Sequence, residues 1–220
     1  MEIKVIRQIL EWNEDCSNEV KELLKEKKVF LINVMGSPGT GKTTFIIELI
    51  KRLQSKYSIA VIEGDIAGDI DAQKIDALGI PVVQLNTEGA CHIEAMSINN
   101  ILQYFDLDNT DIIFVENIGN LVCPAEFNIG EALRIAILSI PEGDDKVDKY
   151  PLMFSTTNAL VLNKFDMMNY FDFDDKKVEA AFNKLNSEGN LFRVSSRSGD
   201  GIEEVVDYVI TNIDCKFNEQ

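Results

Sequence analysis

KVFLINVMGSPGTGKTT, residues 28–44, runs from a buried strand through a glycine-rich loop into the opening of a helix. Gly36, Gly41, Lys42 and Thr43 satisfy G-x-x-x-x-G-K-[ST], the phosphate-binding P-loop, with Ser37, Pro38, Gly39 and Thr40 as the loop between and Thr44 just inside the helix. Glycines at these points let backbone N–H groups turn towards phosphate oxygens with no Cβ in the way. The helix that follows adds the positive end of its dipole. Lys42 is then expected on the β- and γ-phosphates, and the Thr43 hydroxyl on Mg²⁺. A glycine turn before an ordinary helix is the competing interpretation. The β-rich run before the loop and the helical run after it favour nucleotide binding.

Outward from this stretch, short apolar runs alternate with helical ones. Strands are expected at 29–34, 59–63, 82–85, 112–116, 133–139, 160–163 and 191–195, and helices at about 41–57, 72–78, 93–105, 176–185 and 202–212. Such alternation predicts an α/β fold, a mostly parallel sheet with helices on both faces, of the P-loop NTPase type. Residues 1–28 carry apolar side chains at helical spacing and read as one or two amphipathic helices, an N-terminal extension. Residues 29–220 contain no repeat or linker and read as one domain. In such sheets ligands bind beyond the carboxyl ends of the strands.

Acidic residues outnumber basic ones 37 to 21, a formal charge of −16. With no basic run, this surface repels nucleic acid and anionic membranes. No stretch of about 18 uninterrupted apolar residues occurs, and the first residues do not read as a signal peptide, so a cytoplasmic protein is expected.

The remaining motifs fall at strand ends. The second strand ends in Glu63-Gly64-Asp65, followed by Asp69 and Asp71. Carboxylates there can serve Mg²⁺ or orient water, and Asp69 or Asp71 can equally cap a helix. Asp65 and Asp71 are taken as metal candidates. The strand DIIFVENIGN presents Glu116 where a Walker B carboxylate stands, with Gly119 placed to sense a γ-phosphate. Lys42, Thr43, Asp71 and Glu116 are the candidate catalytic set. Asn163, Lys164 and Asp166 fit N-K-x-D. Guanine offers N1–H and an exocyclic amine side by side, and a carboxylate at Asp166 accepts both, selecting GTP over ATP. Ser195, Ser196 and Arg197 are expected to supply a second loop against the base.

Four cysteines (Cys16, Cys91, Cys123 and Cys215) accompany a single histidine, His92. In a reducing compartment disulfides are not expected. Cys91, His92 and Cys123 form a soft ligand set suited to Ni²⁺ or Zn²⁺. Spacing alone leaves this balanced against two buried cysteines and a capping histidine. Cys16 and Cys215 read as structural.

GSPGTGKTT, the EGD turn, LNTEGACHIEA, FVENIGNLVCPAEFNIGE, PEGDDKVDKYP and VLNKFD follow one another from about Val29 to Arg197. This series resembles the HypB family, GTPases that assist nickel insertion into nickel–iron hydrogenase. The related urease accessory GTPases share the P-loop and base motif but are expected to carry Cys-Pro-His in place of Cys-His. The resemblance implies a GTP-dependent homodimer, with Cys91, His92 and Cys123 as a metal site at the subunit interface and with Thr43, Asp71 and Glu116 around Mg²⁺. It further implies a nickel-delivery accessory protein and a hydrogenase large subunit as partners. Some relatives carry a Cys-x-x-Cys-Gly-Cys element or a histidine run before the P-loop. Here that region offers Cys16 and no histidine, so nickel is expected on the Cys/His/Cys trio or from a partner. No water-orienting Gln and no arginine finger can be assigned, so slow intrinsic hydrolysis is expected.

Overall fold

The computed structural model describes residues 2–65, 70–87 and 89–218. Its centre is a seven-stranded sheet in the order β3-β2-β4-β1-β5-β6-β7, parallel throughout. The strands are β1 Phe30–Gly36, β2 Ile59–Asp65, β3 Val82–Asn86, β4 Ile112–Glu116, β5 Leu133–Ser139, β6 Ala159–Asn163 and β7 Asn190–Arg193. The helices are α1 Glu2–Lys27, α2 Lys42–Leu53, α3 Ile70–Asp76, α4 Ala95–Leu102, α5 Cys123–Glu126, α6 Lys146–Lys149, α7 Pro151–Ser155, α8 Asp175–Leu185 and α9 Ile202–Asn218.

Every residue of β1, β4 and β6 is buried, as expected of parallel strands covered on both faces. Alternation along β1 divides the interior. Phe30, Ile32 and Val34 face a core built with α2, α3 and α9. Leu31 joins α1 and α4 in a second core, and Met35 joins α7 and α8 in a third. Asn33 lies between these last two, fully buried, within a polar seam described below.

Local chemistry sets the element ends. Gly41 adopts φ +94°, the left-handed turn that opens α2, and a Cβ there would stand 2.7 Å from Asn163 Nδ2. Asp174 caps α8 by accepting from the Lys176 and Lys177 N–H groups. Glu203 and Glu204 occupy the first turn of α9, where the helix dipole favours negative charge, and Glu203 pairs with Arg52 of α2.

The N-terminal region is one continuous helix packed on α4. Asn13 accepts from the Ala95 N–H at the start of α4 and donates to the Asn128 carbonyl. Among the described residues, no helix is long and apolar enough to cross a membrane.

Candidate functional site

The carboxyl ends of the strands form one rim, and the predicted site residues that can be described gather along it. A cleft of about 540 Å³ opens at the ends of β1, β2 and β4. Pro38, Gly39, Gly41, Lys42, Thr43 and Thr44 line one side, and Glu63, Glu116 and Gly119 the other. Lys42 is 7% exposed, and its Nζ donates to the carbonyls of Gly36 and Ser37 at 3.3 Å, so the ammonium is held over the loop. Thr43 Oγ1 donates to Glu116 Oε1 at 3.0 Å. A hydroxyl and a carboxylate side by side at a phosphate loop are hard oxygen donors suited to Mg²⁺.

Gly36 and Thr40 serve the loop's shape more than its surface. Thr40 is fully buried, with its hydroxyl bonded to the Ser37 carbonyl. The side chains of Asp65 and Asp71 lie outside the described residues, and so does Asp69. Glu63, which the EGD motif signals, is a further cleft residue. It is 2% exposed and in register with Glu116 on the neighbouring strand.

A second hollow, of about 510 Å³, continues from the first past Gly41, Thr44 and Lys164. Asp166, Ser196 and Arg197 line it with Met167 and Tyr170. Asn163 has a different task from its neighbours. Its Nδ2 donates to the Thr40 carbonyl at 2.8 Å, and its Oδ1 accepts from the Ser196 N–H at 3.0 Å and hydroxyl at 2.9 Å. One buried amide thus joins the phosphate loop to the loop after β7. Lys164, in the left-handed region at φ 58°, reaches back to the Gly39 carbonyl at 2.7 Å. Ser195 is buried outside the hollow, where its hydroxyl accepts from the Ser198 N–H.

Cys91, His92 and Cys123 meet along the same rim, with their candidate ligand atoms all within 4.8 Å of one another. Cys91 Sγ lies 2.9 Å from Cys123 Sγ and 3.6 Å from His92 Nδ1. Cys91 and His92 precede α4 rather than beginning it, because that helix opens only at Ala95. Cys123 opens the short helix α5, with Pro124 in its first turn. His92 Nε2 is buried with no hydrogen bond among the described residues, although the Glu94 carboxylate stands 3.7 Å away. Burial pushes the His92 pKa down and so keeps the imidazole neutral, the ligating form. The hydrogen bond to Cys123 pushes the Cys91 thiol up, and burial adds to it. Two thiols, a neutral imidazole and nearby carboxylates fit a soft divalent cation.

A wall behind this cage was not legible from spacing. The Phe127 ring stacks on His92 with centroids 3.9 Å apart. Arg134 fixes that wall by donating to the carbonyls of Ala125 and Phe127 while paired with the buried Glu131. Glu131 also accepts from the Ile129 N–H and faces Asn33, whose Oδ1 accepts from Asn117 of the nucleotide cleft. This is the polar seam between the cores. On the opposite side, a Cβ on Gly64 at the end of β2 would meet Ile93, the residue after His92, at 2.7 Å.

The CobW/HypB/UreG nucleotide-binding domain family matches residues 30–193. The hydrogenase/urease maturation factor HypB of Helicobacter hepaticus is 38% identical over 211 residues, 94% of this chain and 86% of the relative. The hydrogenase maturation factor HypB of Escherichia coli K12 is also 38% identical, over 92% of this chain and 70% of the relative. The crystal structure of Helicobacter pylori HypB in complex with nickel superimposes with a TM-score of 0.87. It has 34% identity and covers 93% of this chain and 96% of that one.

Proposed function

The chain belongs to the CobW/HypB/UreG nucleotide-binding family, and from that premise we propose that it is a GTP-hydrolysing nickel metallochaperone of the HypB kind. It binds Ni²⁺, or Zn²⁺ in its stead, and assists nickel insertion into nickel–iron hydrogenase. The observation that supports this most is the meeting of Cys91, His92 and Cys123 on the rim that also carries the phosphate loop.

Each residue has a chemical task. Gly36 to Thr44 cradle the phosphates through backbone N–H groups, and Lys42 carries positive charge to the β–γ bridge. Thr43 and Glu116 would hold Mg²⁺, with Asp65 and Asp71 as further carboxylates at this edge. When bound, the ion neutralises the charge that develops on the phosphate oxygens. Glu63, buried beside Glu116, is a further carboxyl group at this edge. Asp166 accepts the two guanine donors, while Lys164 lies along the base and Ser196 and Arg197 close its far side.

Nickel is cargo. The trio supplies three ligands, so the fourth position of a tetrahedral or square-planar site is left for a second subunit or for the recipient. A homodimer formed on GTP or metal binding meets the first case, and a delivery protein and the hydrogenase large subunit are the expected partners. The residues from Glu116 to Cys123 link the two sites, so GTP and GDP stabilise different arrangements of the cage and bias metal affinity. The same chemistry serves urease, and the Helicobacter hepaticus relative is named for both enzymes.

Phosphate release at saturating GTP, with and without Ni²⁺, tests the proposal together with nickel transfer to the apo-hydrogenase large subunit and to apo-urease. Slow release and GTP-dependent transfer are expected. Labelled phosphate appearing on an acceptor molecule, or no release at all, contradicts it.

A further inference from the structure

Asn120 stands between the phosphate loop and the two thiols, outside the roles assigned above. Its backbone forms an isolated antiparallel bridge with Gly36. Its side chain turns the other way. Nδ2 donates to the Cys91 carbonyl at 3.1 Å, and Oδ1 accepts from the Val122 N–H at 2.9 Å, one residue before Cys123. Cys91 and Cys123 come from loops after different strands, β3 and β4. A single planar amide therefore spans both sulfur-bearing loops while its own backbone is bridged to the nucleotide cradle.

The residue type matters. A side-chain amide offers a donor and an acceptor fixed in one plane, whereas a carboxylate offers acceptors only and a methyl offers neither. The bond to the N–H two residues on is an Asx turn, which sets how the chain enters α5. His92 follows Cys91 directly and stacks on the Phe127 ring, which Arg134 holds from behind. A shift of the loop at Gly119 and Asn120 is thus passed directly to both sulfur-bearing segments. Three ligands at fixed bond lengths tolerate little such movement, so the change appears as affinity.

We propose that Asn120 is the positioning residue through which the state of the phosphate loop sets the spacing of the Cys91 and Cys123 sulfurs, and hence the cage's affinity for a soft divalent cation. This rests on the coupling of nucleotide and metal proposed above.

The test is competition of Ni²⁺ and of Zn²⁺ between the protein and a chromophoric chelator, with GDP or a non-hydrolysable GTP analogue bound. The wild type, Asn120→Ala and Asn120→Asp are compared, and nickel–thiolate charge-transfer absorption is recorded in each. In the wild type the two nucleotide states differ in metal affinity by about fivefold or more. Both variants bind GDP normally and one ion per cage, but their ratio falls to one and their charge-transfer bands no longer depend on nucleotide. Asn120→Asp, nearly isosteric, keeps the acceptor for Val122 and guards against misfolding of the alanine variant. A merely structural role would weaken both states by one common factor. A wild-type-like ratio in the variants therefore overturns the inference. A ratio of one in the wild type instead removes the coupling on which it rests, leaving metal binding and GTP hydrolysis standing.

Discussion

Gly119 is seated on Pro38: a Cβ built on the glycine would stand 2.7 Å from the proline Cγ and 2.9 Å from its nitrogen. The loop leaving β4 thus rests on the phosphate loop with no side chain between them. The obstacle to a larger residue includes backbone and a rigid ring, which yield less readily than a long side chain.

Gly119→Ala therefore displaces one loop from the other. The expected result is weaker binding of a GTP analogue than of GDP and at least about tenfold slower phosphate release, with the fold retained. Nucleotide titration and single-turnover hydrolysis check this. Equal weakening of GDP and GTP would show that Gly119 does not face the γ-phosphate.

Asn163 ties Thr40 to Ser196 from a position 1% exposed. Asn163→Ala removes three hydrogen bonds and leaves buried backbone groups unpaired, a loss of about 2–3 kcal/mol. Thermal unfolding should move down by about 5–10 °C for a chain of this length. Affinity should fall for GTP and ATP alike, since the amide shapes both loops around the nucleotide.

Asp166→Asn is expected to act oppositely, leaving the melting temperature near the wild type while relaxing base choice. A charge-assisted pair to guanine contributes about 1.5–3 kcal/mol, so the GTP/ATP affinity ratio should drop by about ten- to hundredfold. An unchanged ratio would remove Asp166 from base recognition.

The strands were legible because parallel, doubly covered strands are continuous apolar runs bounded by turns: 112–116 and 133–139 agree with β4 and β5 end to end. Helix ends were less legible. The apolar pattern through Ile93 and Phe105 suggested one long helix, whereas α4 spans only Ala95–Leu102 and leaves Cys91 and His92 in the preceding loop. Both flanking residues pack in the core next to α4, Ile93 buried and Phe105 partly so, which mimics helical periodicity. The short helices α5, α6 and α7 each hold too few turns to leave a periodic signal. At the site, the phosphate and base motifs carry their spacing in the sequence. The contacts of Phe127, Arg134 and Asn120 are tertiary, set by which loops the sheet brings together.

Metal affinity should rise with pH. Binding requires thiolates, and Cys91 is held above the ordinary thiol value by its hydrogen bond to Cys123. At neutral pH the ion must displace that proton, so log affinity should climb by about one per pH unit between pH 6.5 and 8 from this group alone. His92 is pushed the other way by burial and adds no further loss until the pH falls below the ordinary imidazole range. Chelator competition across that interval checks this; a flat profile would contradict thiolate ligation.

The phosphate loop and the Cys91/His92/Cys123 cage occupy one rim and are proposed to work as separable sites. Calorimetric titration of Ni²⁺ and of GDP into the wild type and Cys123→Ala tests this most directly. The variant is expected to lose stoichiometric nickel binding and to keep its GDP affinity. Nickel stoichiometry unchanged in Cys123→Ala would contradict it.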